Sequence, residues 1–140
     1  MRRRRLIPVL FGGGASPLDK YILGLAPIAY WKLDETSGTA AVNSGSLGTA
    51  ANGTYSGPTL AQVAAPGSGL APLFDGSNDV VNVYSAALAA AFGKTVGSMM
   101  IWSKVYDVNA WSDSTIRMTM ELANNSATNV VEMFKSDTAG

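Results

Sequence analysis

From Thr115 to Leu122 the chain alternates with period two. Ile116, Met118, Met120 and Leu122 take one side, and Thr115, Arg117, Thr119 and Glu121 the other. Successive side chains of an extended strand point to opposite faces, so this pattern specifies a strand with one apolar face. Asn124-Asn125-Ser126 carries turn chemistry, and Val130–Lys135 reads as a second strand running back. A chain built on such a pair must assemble sheets, and the remainder is read for further strands.

The pattern recurs upstream in shorter pieces. Ile28-Ala29-Tyr30-Trp31-Lys32-Leu33 reads as a strand with Ala29, Trp31 and Leu33 on one face. Leu73-Phe74-Asp75 leads into the turn Gly76-Ser77-Asn78, and Asp79–Tyr84 follows as a strand rich in β-branched residues. Ser98–Tyr106 is apolar on both faces, the signature of a central strand. Residues 36–72 are crowded with Gly, Ser, Thr, Ala, Asn and Pro, apart from a short Thr54-Tyr55 element. A structureless run of that length is unusual inside a compact domain, so tight turns around very short strands are expected. Two short helices interrupt the strands. Ser16-Pro17-Leu18-Asp19 has a cap, a first-turn proline and an acid at the positive end of the dipole. Its apolar face is Leu18, Tyr21, Ile22 and Leu25, and Pro27 ends it. Ala86–Phe92 is alanine-rich and stops at Gly93. Many short strands with Gly- and Asn-rich turns predict an all-β antiparallel sandwich.

Charge divides the 140 residues into two parts. Ten basic and ten acidic residues give a formal charge of zero, but Arg2, Arg3, Arg4 and Arg5 stand together. The remaining six basic residues face ten acidic ones, so an arm of +4 precedes a body of −4. An acidic body is a poor nucleic-acid surface. Leu6, Ile7, Val9, Leu10 and Phe11 follow the arginines, with Pro8 among them and Gly12-Gly13-Gly14 after. This outline resembles a secretory leader. Its apolar run spans six residues and is broken by proline, against roughly 7–15 in such leaders. A docking arm, Arg2 to Phe11, is the preferred expectation, and residues 1–25 form an arm and helix ahead of the body at 26–140. No run approaches the roughly 18 apolar residues of a membrane span. The chain has no histidine and no cysteine. A Ser-His-Asp or Cys-His nucleophile is thereby excluded, as are disulfides, and zinc would lack its two commonest ligand types.

Four pieces in order carry a family resemblance: Ala26-Pro27-Ile28-Ala29-Tyr30-Trp31-Lys32-Leu33-Asp34-Glu35-Thr36-Ser37-Gly38-Thr39; Asn52-Gly53-Thr54-Tyr55 with Gly57; Leu73-Phe74-Asp75-Gly76-Ser77-Asn78-Asp79-Val80-Val81-Asn82-Val83; and Met99-Met100-Ile101-Trp102-Ser103-Lys104. Together, over about residues 26–106, they resemble laminin-G-like, concanavalin A-like jelly-roll domains. The resemblance implies two packed antiparallel sheets, with the Gly-rich region folded as tight turns. Such domains have more strands than this length supplies, and nothing matches their later Tyr-Val-Asp-Gly-like turn. The expected jelly roll is therefore incomplete at its C-terminus, truncated or completed by another copy or protein, with exposed edges that invite pairing.

Candidate chemistry is sparse. Asp34 and Glu35 are adjacent carboxylates, but neighbours on a strand diverge, whereas a glycosidase needs two carboxyls facing one bond. The alternating acids of the family's hydrolases are missing as well. A non-enzymatic protein is expected. Asp75, Asn78 and Asp79 offer oxygens suited to calcium, and equally suited to capping backbone amides within one turn. Trp31 and Trp102 fall within strand patterns and are expected in the core. Trp111, in a polar loop, is the expected exposed aromatic for stacking on a glycan.

Because domains of this appearance occur in phage tails, baseplates and head decoration, the resemblance implies a bacteriophage structural protein. It would be a homo-oligomer located in the virion, held to other virion proteins by its arm and displaying the jelly roll for assembly or attachment to surface glycans, with no cofactor required. The alternative expectation is a carbohydrate-binding module of a secreted or cell-surface bacterial protein.

Overall fold

The computed structural model describes residues 16–64, 69–92, 96–105, 116–123 and 130–135. The arginine arm and Trp111 lie outside these residues. The described chain is mainly β. Helix α1 spans Pro17–Gly24, strand β1 Ala40–Ala41, β2 Gly53–Ser56, β3 Thr59–Val63, β4 Leu70–Leu73 and β5 Val80–Asn82. Helix α2 covers Ala86–Ala91, β6 Arg117–Ala123 and β7 Val130–Lys135. Among the described residues no helix is long and apolar enough to cross a membrane.

Local chemistry accounts for both helices. Ser16 caps α1 through its side chain on the Asp19 amide, while the Asp19 carboxylate accepts from the Ser16 amide. This reciprocal box satisfies two otherwise orphaned donors. The helix stops ahead of Pro27, with the Leu25 amide on the Ile22 carbonyl and Ala26 turned into the left-handed region at φ 51°. Its apolar face does not dock as expected. Leu18, Tyr21 and Leu25 are exposed, and the buried residues are Asp19 and Ile22, one turn apart. A carboxylate bond, rather than an apolar stripe, seats the helix. In α2 the Ser85 hydroxyl accepts from the Leu88 amide, and the helix lies against the 3-10 turn Gly48–Ala51.

The Gly-rich region is tight turns and short strands. β1, β2 and β5 form an antiparallel sheet in that order, with Ala41 opposite Gly53 and Tyr55 opposite Val81. β3 pairs with β4 through an irregular register in which Ala61 takes φ 58°. The core is built from small residues. Ala41, Ala51, Tyr55 and Ile22 are its buried hydrophobics, and no large side chain among the described residues is fully enclosed.

Three strand expectations are corrected. Ile28–Leu33 is not a strand. Trp31 makes a lone bridge to Asn43, and Leu33 takes φ 57°, which breaks the extended run. The segment instead docks on residues 43–47: the Ser44 amide donates to the Tyr30 carbonyl, Ser46 to Pro27 and Leu47 to Ile28. Residues 98–105 of the expected central strand carry no ladder, because no described strand lies beside them to accept their hydrogen bonds. In β6 and β7 the pairing holds, but Met118 opposes Phe134 whereas Met120 opposes Met133. Met133 and Phe134 are consecutive, so this slip places the Met118 and Met120 rungs on opposite faces. A bulge at Thr119 thus splits what reads in sequence as one apolar face.

Candidate functional site

Side-chain chemistry concentrates where α1 meets the body. The Asp19 carboxylate, 6% exposed, accepts from the Ser16 amide at 2.8 Å and from the Tyr30 hydroxyl at 2.7 Å, with the Lys32 ammonium 3.6 Å away. Burial works to raise its pKa, but the bonds from Tyr30 and Ser16 and the charge of Lys32 outweigh that, so the carboxyl is more acidic than an ordinary aspartate. Burial and the bond to Asp19 push the Tyr30 phenol up to about 12. Lys32 also reaches Asp34 at 2.6 Å, and that bond raises its pKa despite some desolvation. This last pair is open to solvent, and such pairs are worth about 0–1 kcal/mol.

Glu35 serves a different partner set. One oxygen accepts from the Val42 amide at 2.7 Å, and the other from the Tyr55 hydroxyl at 2.6 Å. Burial and this carboxylate raise the Tyr55 pKa. Asp34 is therefore engaged with Lys32, and both oxygens of Glu35 accept hydrogen bonds, one of them from a backbone amide.

The Asp75–Asp79 turn brings Asp75 and Asp79 together around backbone donors. Asp75 accepts from the Ser77 amide at 2.8 Å, and Asp79 accepts from the Asp75 amide at 2.8 Å. Asn78 lies exposed in the same bend. No cluster of three or more acidic, histidine or cysteine residues suited to a metal occurs among the described residues. One oxygen of Asp75 and one of Asp79 thus close the turn itself.

Among the aromatics, Trp31 is half-buried and donates from Nε1 to the Ala51 carbonyl at 2.8 Å. Trp102, expected in the core, is 77% exposed, and no strand among the described residues pairs with its segment. Sequence reasoning missed Asn43, which is 4% exposed and hydrogen-bonded through both ends of its side-chain amide. Its Oδ1 accepts from the Tyr30 and Gly45 amides, its Nδ2 donates to the Gly48 carbonyl, and its amide donates to Asn52 Oδ1. The Asn-Ser-Gly run 43–45 is a turn signal, yet its distant partners at Tyr30 and Asn52 leave no local trace. Comparison with protein-family models, with curated proteins and with solved structures found no match.

Proposed function

We propose that this chain is a non-enzymatic structural protein of a bacteriophage particle, a tail, baseplate or head-decoration component. Its arm, Arg2 to Phe11, is the anchor, and its body is a laminin-G-like jelly roll displayed outward for assembly or glycan attachment. The observation that carries the reading is the clasp at Asp19. It fixes α1, the element directly after the arm, to the body through Tyr30 and Lys32. The Asp19 carboxylate is buried and accepts through both oxygens, so α1 is held to the body at the end that follows the arm in sequence. The +4 arm and −4 body support it further: the arm suits an acidic protein surface or packaged nucleic acid, and the body does not compete for the same partner. The test is the intact mass of the chain recovered from purified particles. A mass that includes Met1–Ala15 is expected. A mature chain found outside particles with those residues removed contradicts the reading.

One observation favours glycan attachment as the displayed role. Trp102 presents an exposed indole, the flat apolar surface on which a sugar ring stacks. Binding on a broad glycan array is expected to weaken about tenfold in Trp102→Ala, the effect of losing one stacked aromatic. The same array probed with Trp111→Ala separates the two candidates.

A further inference from the structure

Helix α1 presents an apolar stripe that the body does not cover. Leu18, Tyr21 and Leu25 stand at i, i+3 and i+7, within an arc of about 60° at about 100° per residue. They are 52%, 69% and 67% exposed, while Asp19 and Ile22 of the same helix are buried. The stripe is about 10 Å long at about 1.5 Å per residue. Because the Asp19 carboxylate seats the helix, the stripe is left available.

The chain itself holds a segment that fits. Outside the described residues, 65–68, 93–95, 106–115, 124–129 and 136–140 are small, polar or interleaved with polar residues, whereas Leu6-Ile7-Pro8-Val9-Leu10-Phe11 is an unbroken apolar run. It lies directly ahead of α1. The five steps from Phe11 to Ser16 reach up to about 17 Å, and a helix and the element packed on it stand about 8–10 Å apart. Gly12-Gly13-Gly14 lets the chain reverse within that length, since glycine enters the left-handed region without a Cβ clash. Pro8 holds Ile7 extended and lacks an amide donor, so the returning segment is an extended strip rather than a second helix. From Ile7 to Phe11 such a strip covers about 13 Å at about 3.3 Å per residue, enough for the whole stripe.

We propose that Leu6–Phe11 folds back over α1 and covers Leu18, Tyr21 and Leu25. The strip runs antiparallel to the helix, with Phe11 at the Leu18 end and Ile7 at the Leu25 end. A linker this short holds the segment at an effective concentration of about millimolar, so the chain's own arm occupies the stripe ahead of a second copy or a separate protein at lower concentration. The contact does not depend on what the arm anchors to. In the anchoring role proposed above, on which this clause alone rests, the contact keeps the arm's apolar residues covered until the anchor site takes them.

The test is made on the full chain, free in solution. Nuclear Overhauser contacts are expected from the Val9 and Leu10 methyls to the Tyr21 ring and from the Ile7 methyls to Leu25, unchanged on dilution. Replacing all three linker glycines, Gly12→Pro, Gly13→Pro and Gly14→Pro, stiffens the linker into an extended rod and is expected to abolish them. Chymotrypsin cleavage after Phe11 reads the same contact. In the double variant Tyr21→Ser with Leu25→Ser, cleavage is expected to quicken about tenfold, because the protease acts on the open form in proportion to its population. Both substituted positions are exposed and α1 stays held through Asp19 and Ile22, so amide exchange in α1 is expected to match the wild type. Absence of the contacts in the wild type, or their loss on dilution as a second copy would give, overturns the proposal. So does their survival in the proline linker, or cleavage at the wild-type rate in the double variant. Each of these outcomes is read without particles and is therefore distinct from failure of the anchoring role.

Discussion

Removing the Asp19 carboxylate leaves the Tyr30 hydroxyl, the Ser16 amide and the Lys32 ammonium without their shared acceptor. Asp19→Ala is expected to destabilise the chain by about 2 kcal/mol, as loss of a cap and of charge-assisted bonds does. Amide exchange should show the loss concentrated in α1, and protection of α1 equal to wild type contradicts this role. Two pH windows follow. The Asp19 pKa is depressed on folding, so its contribution is present above its unfolded value near 4 and is lost as pH falls through the lower folded value. The Tyr30 pKa is raised, so its contribution is present below about 10 and is lost as pH rises through about 12. In Tyr30→Phe the alkaline loss should shrink, as read by thermal unfolding between pH 9 and 12. Glycines are placed with the same economy. A Cβ at Gly45 would stand 2.6 Å from the Ala29 Cα, and Gly57, at φ +94°, would drive one into the Asp79 carboxylate. Gly45→Ala meets backbone that cannot rotate away, and a cost of at least about 1–3 kcal/mol is expected in denaturant melts.

Elements were legible where their signals were local. The cap at Ser16, the turn at Gly76-Ser77-Asn78 and the strand pair ending at Lys135 all stand where propensity and turn chemistry put them. Elements failed where distant groups competed for the backbone. Tyr30 gives its amide to Asn43 Oδ1 rather than to a strand, a contact across 13 residues that no periodicity announces. The apolar 98–105 run states a need for neighbours on both sides without saying who supplies them. The Thr119 bulge was equally silent: one extra residue leaves the alternation intact in sequence while reversing the faces in space. The site shows the same division. Asp75 and Asp79 are where the turn pattern places them, and their oxygens cap amides. The clasp at Asp19 and the Glu35–Tyr55 bond join residues 11 and 20 positions apart and had no signature.

At the scale of the whole molecule, a thin core of Ala41, Ala51, Tyr55 and Ile22 sits among exposed apolar side chains on 96–105 and on the hairpin. Such surfaces are interaction surfaces in a stable protein. In the proposed function these surfaces serve display, and the arm serves attachment. The direct measurement is incorporation of the chain into purified phage particles, full length against a version lacking residues 1–15, both quantified by mass spectrometry. The account predicts that the shortened chain folds, with α1 still clasped at Asp19, yet is absent from particles. Incorporation of the shortened chain at the level of the full one would contradict it.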